Sequence, residues 1–126
     1  MARQIITTDA APRSPLFSQG IRAGSTIQVS GMVGMDVTTG ELPESIQDQT
    51  RQAIRNCAAV LEAGGASLGD VTMVTVLLAD PSDFAGMNEA YAEMFGEDPP
   101  ARAVARLGPE LPGIRVSIFM TAHVED

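Results

Sequence analysis

The amino-acid sequence predicts an α+β domain, one mixed sheet of about six strands with two helices on one of its faces. Three observations predict it. Apolar residues recur at helical spacing in two segments, 45–63 and 83–95. Around those segments, short β-branched runs bounded by turn residues give the order ββ(β)αβαββ. Two of the strands, "VTMVTVLL" and "IRVSIFM", carry apolar residues on both parities. The sheet face turned away from the helices therefore needs cover as well, and a second copy of the chain is the simplest source of it.

The elements follow in order. "QIITT" (4–8) is a first short strand, and "SPLFSQGIRAG" (14–24) is a loop and a strand closed by Gly24. "TIQVSGMVGMD" (26–36) is a strand ending at the Ser30-Gly31 step, and "VTTGELP" (37–43) is a loop. From Ser45 to Ala63, Ile46, Ala53, Ile54, Cys57, Val60 and Leu61 form an apolar stripe opposite Gln, Asp and Arg. Gly64-Gly65 stops that helix as a glycine C-cap does. "VTMVTVLLAD" (71–80) reads as a strand buried on both faces. Asp83 is placed to N-cap the second helix, whose stripe is Phe84, Met87, Tyr91 and Phe95 and which "GEDPP" ends. Two last strands, "ARAVARL" (101–107) and "IRVSIFMTAHV" (114–124), are joined by "GPELPG".

With 126 residues, positions 1–126 suit one domain around one core. Apolar residues make up 44% of the chain but aromatics only 4%, so aliphatic side chains and Met must fill that core. The net charge of −8, with the basic residues scattered, speaks against general nucleic-acid binding. Cys57 is alone, which excludes an internal disulfide and a CxxC metal site. Neither "MARQIITTDAAP" nor any other stretch is an apolar run long enough to span a membrane, and the plain reading is a cytoplasmic protein. "GGASLGD" lacks both the spacing and the lysine of a phosphate loop.

"PPARAVARL" (99–107) holds the least comfortable residue. Two prolines break the chain, and Arg102 stands at the turn-to-strand step of a strand that reads as largely buried. A buried guanidinium needs an anionic partner. A structural salt bridge and a bidentate grip on a ligand carboxylate both satisfy it, and the residues alone leave the two level. Asn88 is equally open between an exposed helix amide and a functional group. Ser30-Gly31 is either a simple turn or a point of close backbone approach. Cys57 lies inside the helix stripe and reads as a core thiol. His123, beside the acidic "VED" end, reads as a solvated tip or an interface contact, and with one His and one Cys no metal site is expected.

The chain as a whole resembles the RidA (YjgF) family. "QVSGMVGMD", "QTRQAIRNCAAVLEAGGASLGDV", "DFAGMNEAYAEMF" and "PPARAVARL" carry the resemblance in order and spacing, from about Ile5 to Val124. It implies a chorismate-mutase-like fold assembled as a homotrimer, with the sheets as an inner barrel, the helices outside and ligand clefts between subunits. It implies hydrolysis of reactive 2-enamine and 2-imine carboxylates to 2-oxo acids and ammonia, without a cofactor. Arg102 becomes the carboxylate anchor, with backbone near Ser30, Gly31 and Val104 facing the ligand and Phe84 and Asn88 in the cleft wall. The chain also departs from the family. Ser117 stands where deaminating members commonly carry a water-positioning glutamate, Phe17 where a tyrosine is usual, and Val104 where cysteine is frequent. Serine hydrogen-bonds water without taking its proton, and loss of an acid–base group typically costs on the order of 10²–10⁴ in rate. Glu110, in the loop before the last strand, is a possible substitute carboxylate. Three readings result: a slow or altered imine deaminase, a non-hydrolytic binder of small carboxylates, and a ribonuclease or translation inhibitor, which the negative charge disfavours.

Overall fold

The structure, a computed structural model, describes residues 2–125; Met1 and Asp126, the ends of the "MARQ" and "VED" segments, lie outside the described residues. Six strands and two α-helices follow the predicted order: β1 (Gln4–Ile6), β2 (Gly20–Ala23), β3 (Thr26–Val33), α1 (Ile46–Ala63), β4 (Val71–Leu78), α2 (Phe84–Phe95), β5 (Ala101–Arg106) and β6 (Val116–His123). They form one mixed sheet in the spatial order β1-β2-β3-β6-β4-β5. Every pairing is antiparallel except β4 with β5, which is parallel.

The apolar stripe of α1 is buried against the sheet, with Ala53, Ile54, Cys57, Val60 and Leu61 fully covered. Opposite them lie Ile27, Val29 and Met32 of β3, Val74 and Val76 of β4, and Val116, Ile118 and Met120 of β6. Ser45 caps α1 by accepting from the Asp48 N–H at 3.0 Å, and the chain leaves through Gly64 and Gly65, the latter at φ +91°. Arg22 reaches from β2 to donate to the Gly64 carbonyl at 2.8 Å, placing a cation at the helix C-terminus.

Two buried amides lock α1 to the chain around it. Asn56 donates to the carbonyls of Val33 and Met35, both at 2.9 Å, and so fixes the end of β3. Gln49 donates to Pro43 O and Gly113 O and accepts from Arg115 N, tying the start of β6 to the helix. Between them Gly34 passes so close that an added Cβ would clash with the backbone of Gln49, its carbonyl oxygen first.

The outer face of β4 and β6 has no cover within one chain, where Met73 and Phe119 are 37% and 40% exposed. Three expectations are corrected. β3 does not end at the Ser30-Gly31 step but runs on to Val33, with the step as an irregularity in its ladder. β5 is not a buried strand. It pairs on one side only, at the sheet edge, and all its residues except half-buried Val104 are exposed. Asp83 occupies the N-cap position of α2 but its side chain makes no cap bond; it receives Arg115 instead, at 3.1 Å.

Gly34→Ala is expected to lower the unfolding free energy by about 1–3 kcal/mol, since a backbone neighbour cannot move aside as a side-chain tip can. Urea denaturation checks this; an unchanged midpoint would mean that α1 does not rest on β3 as described.

Candidate functional site

Parity across the ladder decides which way each candidate residue points. Arg102, Val104 and Arg106 pair with Val74, Val76 and Leu78, all core residues, so their side chains lie on the helix side of the sheet. There α2 crosses over Arg102. Arg102 Nη1 donates to Asn88 Oδ1 at 2.7 Å and lies 4.0 Å from Met87 Sδ. The guanidinium stacks 4.7 Å from the Tyr91 ring centroid and 5.9 Å from that of Phe84. These distances are those of cation–π contacts.

Every one of those neighbours is neutral. Tyr91 is a neutral phenol to begin with, and burial raises its pKa further, only partly opposed by the Arg102 charge. No carboxylate forms an ion pair with Arg102 among the described residues, where Arg13 and Arg115 have one partner each and Arg51 has two. Among the described residues, the salt-bridge reading of Arg102 therefore finds no partner. Asn88 is not a free helix amide but the group that orients Arg102.

A second cluster sits elsewhere. Ser117 pairs with Val33 and Leu77 and points to the outer face, where an added Gly31 Cβ would lie 3.0 Å from its Oγ. The Ser30-Gly31 step is an irregularity in the β3–β6 ladder, between Val29 and Met32. Ser30 Oγ donates to the Ser18 carbonyl and Ser30 N to Gln19 O, which ties the bulge to the loop carrying Phe17. Phe17 is 45% exposed and lines a small hollow with Arg13, Ser14 and Gln19. The step is thus not a simple turn, since it lies inside β3.

The structure brings together Arg102, Asn88, Phe84 and Val104, and separately Phe17, Ser30, Gly31 and Ser117. It does not join the two groups in one chain. Ser117 and Arg102 stand on opposite sheet faces and two strand spacings apart, about 10 Å, before their offset along the strands is counted. His123 lies on the outer face opposite Thr26, six residues along β6 from Ser117 and so about 20 Å away. Glu110 is an exposed loop residue beside Leu107–Pro112. Cys57 is fully buried with its thiol 3.4 Å from Ile118 O, and burial drives its pKa far up. Among the described residues no cluster of His, Cys, Asp and Glu is placed to hold a metal, and no helix is long and apolar enough to cross a membrane.

Sequence reading missed Tyr91 as a partner of Arg102 and the amides Gln19, Gln49 and Asn56 as locks. Gln19 is 4% exposed and exchanges bonds with Thr8, Ala11 and Pro12, holding the loop ahead of Phe17. For Gln49 and Asn56 a signal exists: both are polar residues at stripe positions of α1, where an unpaired amide would be costly.

Fold and site together define a one-sheet α+β protein with an edge-strand arginine oriented by helix residues. Comparison with known proteins defines the class further. Residues 8–124 match the family model described as Endoribonuclease L-PSP. A RutC family protein of Pyrococcus horikoshii is 43% identical over 126 residues, covering 98% of this chain and 99% of its own. The 2-iminobutanoate/2-iminopropanoate deaminase of Rattus norvegicus is 37% identical over 118 residues, covering 92% and 86%. The crystal structure of E. coli TdcF with bound serine superposes with a TM-score of 0.90 at 33% identity, covering 97% and 99%. The chain belongs to the RidA/YjgF/L-PSP family.

Cys57 is expected to be silent toward a thiol reagent in the native protein and to react fully once the chain is unfolded. Stoichiometric labelling of native protein would contradict the buried placement.

Proposed function

We propose that the protein hydrolyses short 2-enamine and 2-imine carboxylates to 2-oxo acids and ammonia, with Arg102 anchoring the carboxylate. The observation that supports this most is a guanidinium oriented by Asn88, Tyr91 and Phe84, all neutral, with no acidic side chain in ion-pair contact among the described residues. A planar anion completes such an arrangement by bidentate hydrogen bonding. Relatives named as 2-iminobutanoate/2-iminopropanoate deaminases, and a relative whose structure holds serine, support a small amino-acid-derived carboxylate as that anion.

The chemistry asks little of the protein. The enamine tautomerises to the imine, water adds to the electrophilic carbon, and the C–N bond breaks to release ammonia. Arg102 fixes the substrate and favours the anion, and the remaining task is to place the water. Ser117 offers that water a hydrogen bond but no base, which fits slow turnover of an intrinsically reactive substrate. Because Ser117 and Gly31 face away from Arg102 in one chain, the complete site in this proposal is made by two copies, with Arg102 of one meeting Gly31 and Ser117 of another. The uncovered outer face, with Met73, Leu77 and Phe119, supplies the surface for that association, and a homotrimer is the arrangement the family resemblance implies.

The test generates 2-iminopropanoate in solution and traps unhydrolysed imine with semicarbazide. Wild type is expected to suppress the trapped product, and Arg102→Ala to lose roughly 100-fold or more in kcat/KM, with Arg102→Lys in between. Absence of suppression by wild type, while 2-oxobutanoate still binds through Arg102, would assign the protein to non-hydrolytic carboxylate binding instead.

A further inference from the structure

Val104 stands between two arginines on the same face of β5. Arg106 lies four residues beyond Arg102, about 13 Å along the strand, and points to the same helix side. Leu78, Pro81, Phe84, Val104 and Ala105 form an open groove of about 410 Å³, and Arg106 is the one charged residue on its lining among the described residues. Phe84 belongs both to this groove and to the wall over Arg102. The groove therefore borders the proposed anchor at Phe84, runs over apolar side chains and reaches a second guanidinium.

Arg106 forms no ion pair among the described residues. Two carboxylates are near it. Asp80 is held below the usual carboxylate range by the backbone N–H and hydroxyl of Ser82, with smaller help from the charges of Arg106 and Arg115. Glu110 borders the adjoining hollow together with Arg106. Neither reaches the Arg106 guanidinium at ion-pair distance.

We propose that this groove is a subsite for a second carboxylate, so that the protein takes 2-imino dicarboxylates. The proposal rests on Arg102 as anchor for the 2-carboxylate. The distal carboxylate meets Arg106, and a short methylene spacer lies over Val104 and Phe84. The separation of the two cations excludes one carboxylate gripped by both, and the flexible stem of Arg106 lets its head close on a short diacid held at Arg102. The apolar floor matches methylene groups and offers nothing to a polar spacer. A substrate with a plain alkyl chain would leave the Arg106 charge unused, whereas a diacid gains a charge-assisted hydrogen bond there.

Binding decides the matter without depending on turnover. Titration calorimetry at fixed ionic strength compares 2-oxoglutarate with 2-oxobutanoate on wild type, Arg102→Ala, Arg106→Gln and Arg106→Lys. Wild type is expected to bind 2-oxoglutarate roughly 10- to 100-fold more tightly. Arg106→Gln is expected to bring the affinity ratio close to one and Arg106→Lys to restore part of it. Equal affinities in wild type, or a ratio that Arg106→Gln leaves unchanged, would overturn the subsite while leaving the anchor standing. Binding of both compounds that survives Arg102→Ala would overturn the anchor, and the subsite with it.

Discussion

Parallel pairing of β5 with β4 is the constraint from which the arrangement around Arg102 follows. Parallel neighbours cannot be joined by a tight turn and need a long crossover that packs on a sheet face. The chain between β4 and β5 is α2 with its short leading turn, so α2 has to lie over the strand it feeds. That requirement brings Phe84, Asn88 and Tyr91 across Arg102 from a segment some dozen residues earlier in the chain. Placing β5 last in the sheet has a second consequence: with only one neighbour, its other edge is left unpaired in one chain.

Charge then decides what the place around Arg102 can hold. The chain is acidic overall, and its eight basic residues are all arginines. Several are spent on structure: Arg13, Arg51 and Arg115 on carboxylates, and Arg22 on the carbonyls of Gly24 and Gly64. Arg102 is different, being held by groups that orient it without neutralising it. A cation kept in one place by aromatic faces and an amide is pre-organised for an anion, because little side-chain freedom remains to be lost on binding.

Most of the fold was legible in the sequence because its signals are local. The stripe of α1, the glycine pair that ends it and the β-branched run of β4 each state their structure within a few residues. What was not legible depends on pairing. Apolar residues on both parities of β4 and β6 read as burial on both faces, yet in one chain they only report a face that lacks its cover. "ARAVARL" looked buried for the same reason, since its composition cannot tell an edge strand from a central one. The site was half legible. Arg102 stood out as a charge in an apolar strand, but that Asn88 and Tyr91 would orient it follows from the crossover. That Ser117 would face the other way follows from a ladder register no single segment contains.

The most direct test of the account is a crystal structure of the protein with 2-oxobutanoate. It predicts the ligand carboxylate on the Arg102 guanidinium with N···O distances of about 2.7–2.9 Å, Asn88 still holding Nη1, and Gly31 and Ser117 of a second copy across the ligand. An acidic side chain of a neighbouring subunit in that place, with the ligand absent or bound elsewhere, would make Arg102 a structural ion pair and contradict the account.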